Sequence, residues 1–197
     1  LLISGGIGSY FLLINNRDNK ETAESSKEDA KRFAEEYTKV SEDNVFVYKT
    51  PDDIIDILKH GTGVTYLGFP ECPWCGAYVK YLNEVAREVG IEKIYYTNTK
   101  SLKETDMNKY YEIVDLLEGH LEYNNEGKPW IFVPNVTFVI NGEIIGNNNE
   151  TAKDTHGLSD PEEYWTEEEV KSLKETLRKY MEEIKTASST CASGCNK

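Results

Sequence analysis

The sequence predicts an α/β domain, a central mixed β-sheet flanked by helices. Three observations carry this. Short apolar strands alternate with amphipathic helical stretches over most of the chain. Asn141-Gly142 lies between two apolar runs, the strongest short-range signal for a hairpin and hence for antiparallel pairing at one end of the sheet. A helix with a complete start signal then closes the domain: Thr166 and Glu169 have capping-box spacing, and Trp165 and Val170 have that of a hydrophobic staple.

The elements follow in order. A first helix is predicted from Ser26 as N-cap to about Val40, with Ala30, Phe33, Tyr37 and Val40 on one face. Asn44 to Tyr48 reads as a strand. Thr50-Pro51 opens a second helix, with proline at its first position and Gly61 and Gly63 at its end. Gly63 to Phe69 is mostly apolar, as a buried central strand is. After Cys72, residues Tyr78, Val79, Leu82, Val85, Ala86 and Val89 recur at helical spacing, and Gly90 is the stop. Lys93 to Thr97 is a further strand, and Met107 to Leu121 a helix. Ile131 to Ile140 and Glu143 to Gly146 form the hairpin, and Val170, Leu173, Leu177, Tyr180 and Ile184 mark the buried face of the last helix. The loop Asn147 to Tyr164 reads as a solvated insertion. No internal repeat is present.

The 197-residue chain divides into a partial membrane anchor or signal segment (1–14, apolar but shorter than the roughly 20 residues of a bilayer span), a polar linker (15–27), the α/β domain (28–186) and a flexible cysteine-containing tail (187–197). An anchored or secreted domain would be extracytoplasmic. The net charge of -13 repels phosphate backbones, which argues against nucleic-acid binding.

The chemistry resides in Cys72-Pro73-Trp74-Cys75, where a buried strand passes into a helix. At a helix start, unpaired N–H groups and the helix dipole favour an anion, so the Cys72 thiol should ionise below its ordinary range. Pro73 suits the first helical position, and Cys75, one turn further in, is placed as a shielded resolving thiol. Pro73 and Trp74 are expected to tune the centre, with Trp74 exposed above it. A lone Cys-x-x-Cys can also hold zinc, but zinc takes four ligands, and the second pair, Cys191 and Cys195, is distant in sequence with no histidine nearby. Redox chemistry without a metal or organic cofactor is the better reading, the working group being a Cys72–Cys75 disulfide. Cys191 and Cys195 could form a local disulfide, act as a second shuttle pair or stay free. His60, His120 and His156 have neither ligand nor triad spacing.

From about Asn44 to Ile184 the sequence resembles the thioredoxin superfamily, on two features: GVTYLGFPECPWCGAYVKYL, and Val133-Pro134 opening VPNVTFVINGEIIG. Within it, the N-terminal segment, the added first helix, CPWC, the lengthened segment before Val133-Pro134 and the acidic helix beginning WTEEEV are similar to the membrane-anchored or secreted thioredoxin-like proteins called bacteriocin transport accessory proteins. The resemblance implies a thioredoxin fold, with Pro134 a cis-proline beside the cysteines and Val133 and Asn135 flanking a groove where substrate adds as a strand. It further implies a thiol–disulfide oxidoreductase of a bacterial cell envelope, acting on protein or peptide thiols and disulfides with an unidentified electron donor or acceptor. The alternative is a binding or accessory module for a secreted peptide or export system. The chain departs from thioredoxin in placing Tyr66 where that protein keeps a buried acid, and Glu71, the nearest acid in sequence, is expected to be exposed.

Overall fold

The computed structural model describes residues 23–149, 158 and 160–194. The expected anchor (1–14), most of the linker and Cys195 lie outside them. Among the described residues no helix is long and apolar enough to cross a membrane.

A five-stranded mixed sheet in the order β1-β3-β2-β6-β7 is sandwiched between helices. Its strands are β1 (Phe46–Tyr48), β2 (Gly63–Gly68), β3 (Ile94–Asn98), β6 (Asn135–Ile140) and β7 (Glu143–Asn148). β1 and β2 flank β3 in parallel, while β6 pairs antiparallel with β2 and β7 with β6. The parallel strands are joined through α2 (Pro51–His60) and α3 (Pro73–Val89), since parallel neighbours need a crossover.

Side chains alternate across the sheet, so two cores form. On one face Val64, Tyr66, Tyr96 and Phe138 meet α1 (residues 23–36), α3 and α7 (Glu167–Gly194). On the other, Leu67 and Val139 meet α2, α4 (Thr99–Thr105) and α5 (Met107–Leu116). The fully buried strand β2 explains its near-continuous apolar sequence.

The described residues are helical from Ala23 on, so part of the expected linker belongs to α1 and Ser26 lies within the helix rather than capping it. It is also more than an appendage, because Phe33 stacks on Phe46 with ring centroids 3.8 Å apart and Tyr37 is buried beside it. The predicted helix Met107–Leu121 is shorter. Asp106 caps it through the Lys109 N–H, and α4 precedes it, capped by Asn98. Leu117 and Leu121 stay buried beyond its end. The lengthened segment carries a small hairpin of β4 (Glu122–Tyr123) and β5 (Pro129–Trp130), and a one-turn helix α6 (Pro161–Tyr164) lies in the expected loop.

The tail is helical as far as Gly194 rather than irregular from 187. Thr186, Ser188 and Ser189 return their hydroxyls to the carbonyls four residues back, along the continuing helix. The side chains of Cys191 and Cys195 lie outside the described residues.

Candidate active site

Strand β2 ends at Gly68, and a turn in which the Cys72 N–H donates to the Phe69 carbonyl (3.2 Å) delivers the chain to α3. Cys72 is the N-cap of that helix and Pro73, exposed, its first residue. The Cys72 sulfur accepts the Cys75 N–H at 3.3 Å, the role that serine or aspartate oxygen plays at other helix starts. Gly90, in the left-handed region at φ 85°, ends the helix, with every predicted apolar position buried between.

Cys72 is 7% exposed and Cys75 0%, and both are free thiols. The outer thiol can therefore be approached while the inner one cannot. Their ionisation separates accordingly. A hydrogen bond from the Cys75 side chain, helped by the Cys75 and Trp74 N–H groups and opposed by burial, lowers Cys72 to about 7. Burial first, and then the neighbouring Cys72, push Cys75 well above the ordinary thiol range. Alkylation of the reduced protein by iodoacetamide should consequently occur at Cys72, its rate rising with pH through a midpoint near 7 as thiolate forms; peptide mapping after a pH series reads this. Earlier labelling of Cys75 would reverse the two roles.

Pairing of Leu67 with Asn135 sets the start of β6 beside the end of β2. Val133-Pro134 is a cis peptide bond, and the Cys72 sulfur lies 4.0 Å from the Val133 carbonyl oxygen. Thus Cys72, Cys75, Val133 and Pro134 come together across a sequence separation of about sixty residues. Val133 is half-buried and Pro134 buried. Asn135 also stands here, but its side chain is 0% exposed and exchanges amide hydrogen bonds with Asn147 on β7 (3.3 and 3.1 Å), so only its backbone could face a groove. Trp74 is not exposed above the centre. It is half-buried, edge-on to Tyr164 of α6 at 5.4 Å. No signal marked Tyr164 as its partner, because the contact spans the irregular loop.

A cavity of about 290 Å³ opens at Cys72, walled by Glu36 at the end of α1 and Tyr37 just after it, by Pro70 and Gly76, and by Asp160 and Glu162 around α6. An ion pair between Lys39 and Glu162 joins its two sides. Glu71 is exposed as expected and pairs with Lys100 at 2.6 Å, so it does not serve the sulfurs. Among the described residues no three His, Cys, Asp or Glu side chains are grouped to hold a metal ion.

Comparison with protein-family models, curated proteins and solved structures finds no match.

The site's chemical capacity therefore follows from its geometry. It holds one accessible sulfur that ionises near neutrality, and one buried sulfur a helical turn below it.

Proposed function

We propose that this protein is a thiol–disulfide oxidoreductase of thioredoxin type that exchanges disulfides with protein or peptide substrates through Cys72 and Cys75. The observation that carries this reading is the asymmetry of the pair: a helix-capping, partly accessible Cys72 with a lowered pKa, and a fully buried Cys75 with a raised one. A cis-proline peptide beside the outer sulfur and the sheet order add support for a thioredoxin fold.

In the reducing direction the Cys72 thiolate attacks a substrate disulfide, forming a mixed disulfide and releasing one substrate thiolate. Cys75 then attacks Cys72, closing the internal disulfide and releasing the second. The reverse sequence oxidises a substrate dithiol. Action on protein disulfides suits a location outside the cytosol, where they persist.

The test is insulin reduction by dithiothreitol, comparing the protein with the same protein alkylated at its thiols. The unmodified protein should accelerate precipitation of the reduced B chain, and the alkylated one should not. Equal rates would exclude the exchange reading and favour a peptide-binding module.

A further inference from the structure

We propose that Tyr66 is a positioning residue for the second thiol, its hydroxyl hydrogen-bonding the Cys75 sulfur as that sulfur becomes charged; this rests on the exchange reading above. The relevant step starts with Cys72 joined to a substrate sulfur. The Cys75 thiol loses its proton, and its sulfur attacks the Cys72 sulfur. The Cys72–Cys75 bond forms, the Cys72–substrate bond breaks, and the electron pair leaves with the substrate sulfur, which takes up a proton. The two cysteines have then lost two electrons and the substrate disulfide has gained them.

Charge must appear on Cys75 where water does not reach, because its side chain is 0% exposed. A buried anion without a donor is strongly disfavoured. The titratable groups facing it are Cys72 from its own helix, Tyr66 from β2, Tyr96 from β3 and Tyr37 just after α1. The nearest charges on α1, Arg32 and Glu36, are engaged with each other at 2.9 Å, and Glu36 also accepts from Tyr48. Tyr37 and Tyr96 pair their hydroxyls at 3.3 Å.

Tyr66 differs from the rest. It is fully buried and its hydroxyl makes no hydrogen bond of full geometry in this state, the Cys75 sulfur and the Tyr37 hydroxyl being the polar groups that act on it. That hydroxyl and the Cys75 sulfur face one spot over the Gly68 backbone: a methyl group on Gly68 would stand 2.5 Å from the oxygen and 3.2 Å from the sulfur. The glycine leaves the approach between them open. A neutral thiol is a poor acceptor, whereas a thiolate is a strong one, so the bond gains strength when the step demands it.

The experiment is single-turnover release of thiol from a Cys72 mixed disulfide, followed from pH 5.5 to 9 in the wild type and Tyr66→Phe, which keeps the ring and deletes the hydroxyl. For each unit by which the Cys75 pKa rises, the thiolate fraction falls tenfold and nucleophilicity recovers part of that, so release near pH 7 should slow by about threefold. The rise of the release rate with pH should be displaced to higher pH, while the midpoint of Cys72 alkylation stays in place. A purely structural role would displace neither pH profile but would lower the melting temperature, which the positioning role does not require. Gly68→Ala, which closes the gap, is expected to slow the same step and gives a second reading if Tyr66→Phe fails to fold. Wild-type release with an unaltered Tyr66→Phe profile overturns this inference alone. No release from the wild-type mixed disulfide overturns the exchange reading and this inference with it.

Discussion

In the Cys75→Ser variant, substrate should remain covalently attached to Cys72. The inner sulfur is one helical turn from the outer one and already directs its backbone N–H at it from 3.3 Å. Attack within such a pair gains a large effective concentration over attack by a free thiol. Without Cys75, release depends on an external thiol, and resolution should slow by on the order of 10³-fold or more. Non-reducing mass spectrometry of the variant mixed with a disulfide-containing protein should show a stable adduct, mapped to Cys72. The companion variant, Cys72→Ser, should give no adduct at Cys75 and no turnover, since that thiol is 0% exposed and disfavoured as an anion. An adduct at Cys75 in that variant would mean that the inner thiol is the attacking one.

The second large effect is on stability, in Gly142→Ala. The hairpin joining β6 to β7 turns through Asn141 at φ 51° and Gly142 at φ 79°, both left-handed, as a tight two-residue turn requires. Asparagine tolerates that region and alanine does so at a cost of about 1–2 kcal/mol. Space adds a heavier objection. A Cβ on Gly142 would stand 2.1 Å from the Lys59 carbonyl oxygen and 2.7 Å from its carbon, both backbone atoms at the end of α2. The Gly142 N–H also donates to the Gly61 carbonyl at 2.9 Å, so the turn cannot retreat without losing that bond. Together these imply a loss on the order of 3 kcal/mol or more, and a melting temperature lowered by about 6–12 °C. An unchanged melting temperature would show that the turn does not pack on α2.

This turn illustrates how far local sequence reaches. Asn141-Gly142 identifies the hairpin because left-handed residues are a requirement internal to the turn. Its contact with Lys59 is a property of two segments about eighty residues apart, and no spacing rule encodes it. The same division runs through the site. The cap at Cys72, the proline after it, the buried face of α3 and the stop at Gly90 were all readable, since each concerns residues within a few turns of one another. Trp74 was misplaced because its partner, Tyr164, arrives from a short helix in a stretch that reads as loop. The direction of the Asn135 side chain likewise follows from no local signal: β7 brings Asn147 opposite it, turning a polar residue beside Pro134 inward. Helix α1 was foreseen from its apolar spacing, but its place against β1 and the cavity at Cys72 was not.

By itself, then, the sequence determined the α/β class, the strand–helix order and the helix-start position of Cys72, because hydrophobic period, capping and turn chemistry act over a few residues. The tertiary structure alone decided that Trp74 packs on Tyr164, that a cavity opens between Cys72 and α6, and that the Tyr66 hydroxyl and the Cys75 sulfur meet over Gly68. Those outcomes depend on strand register and on which faces two helices bury, and such contacts are chosen by the packing of the whole domain.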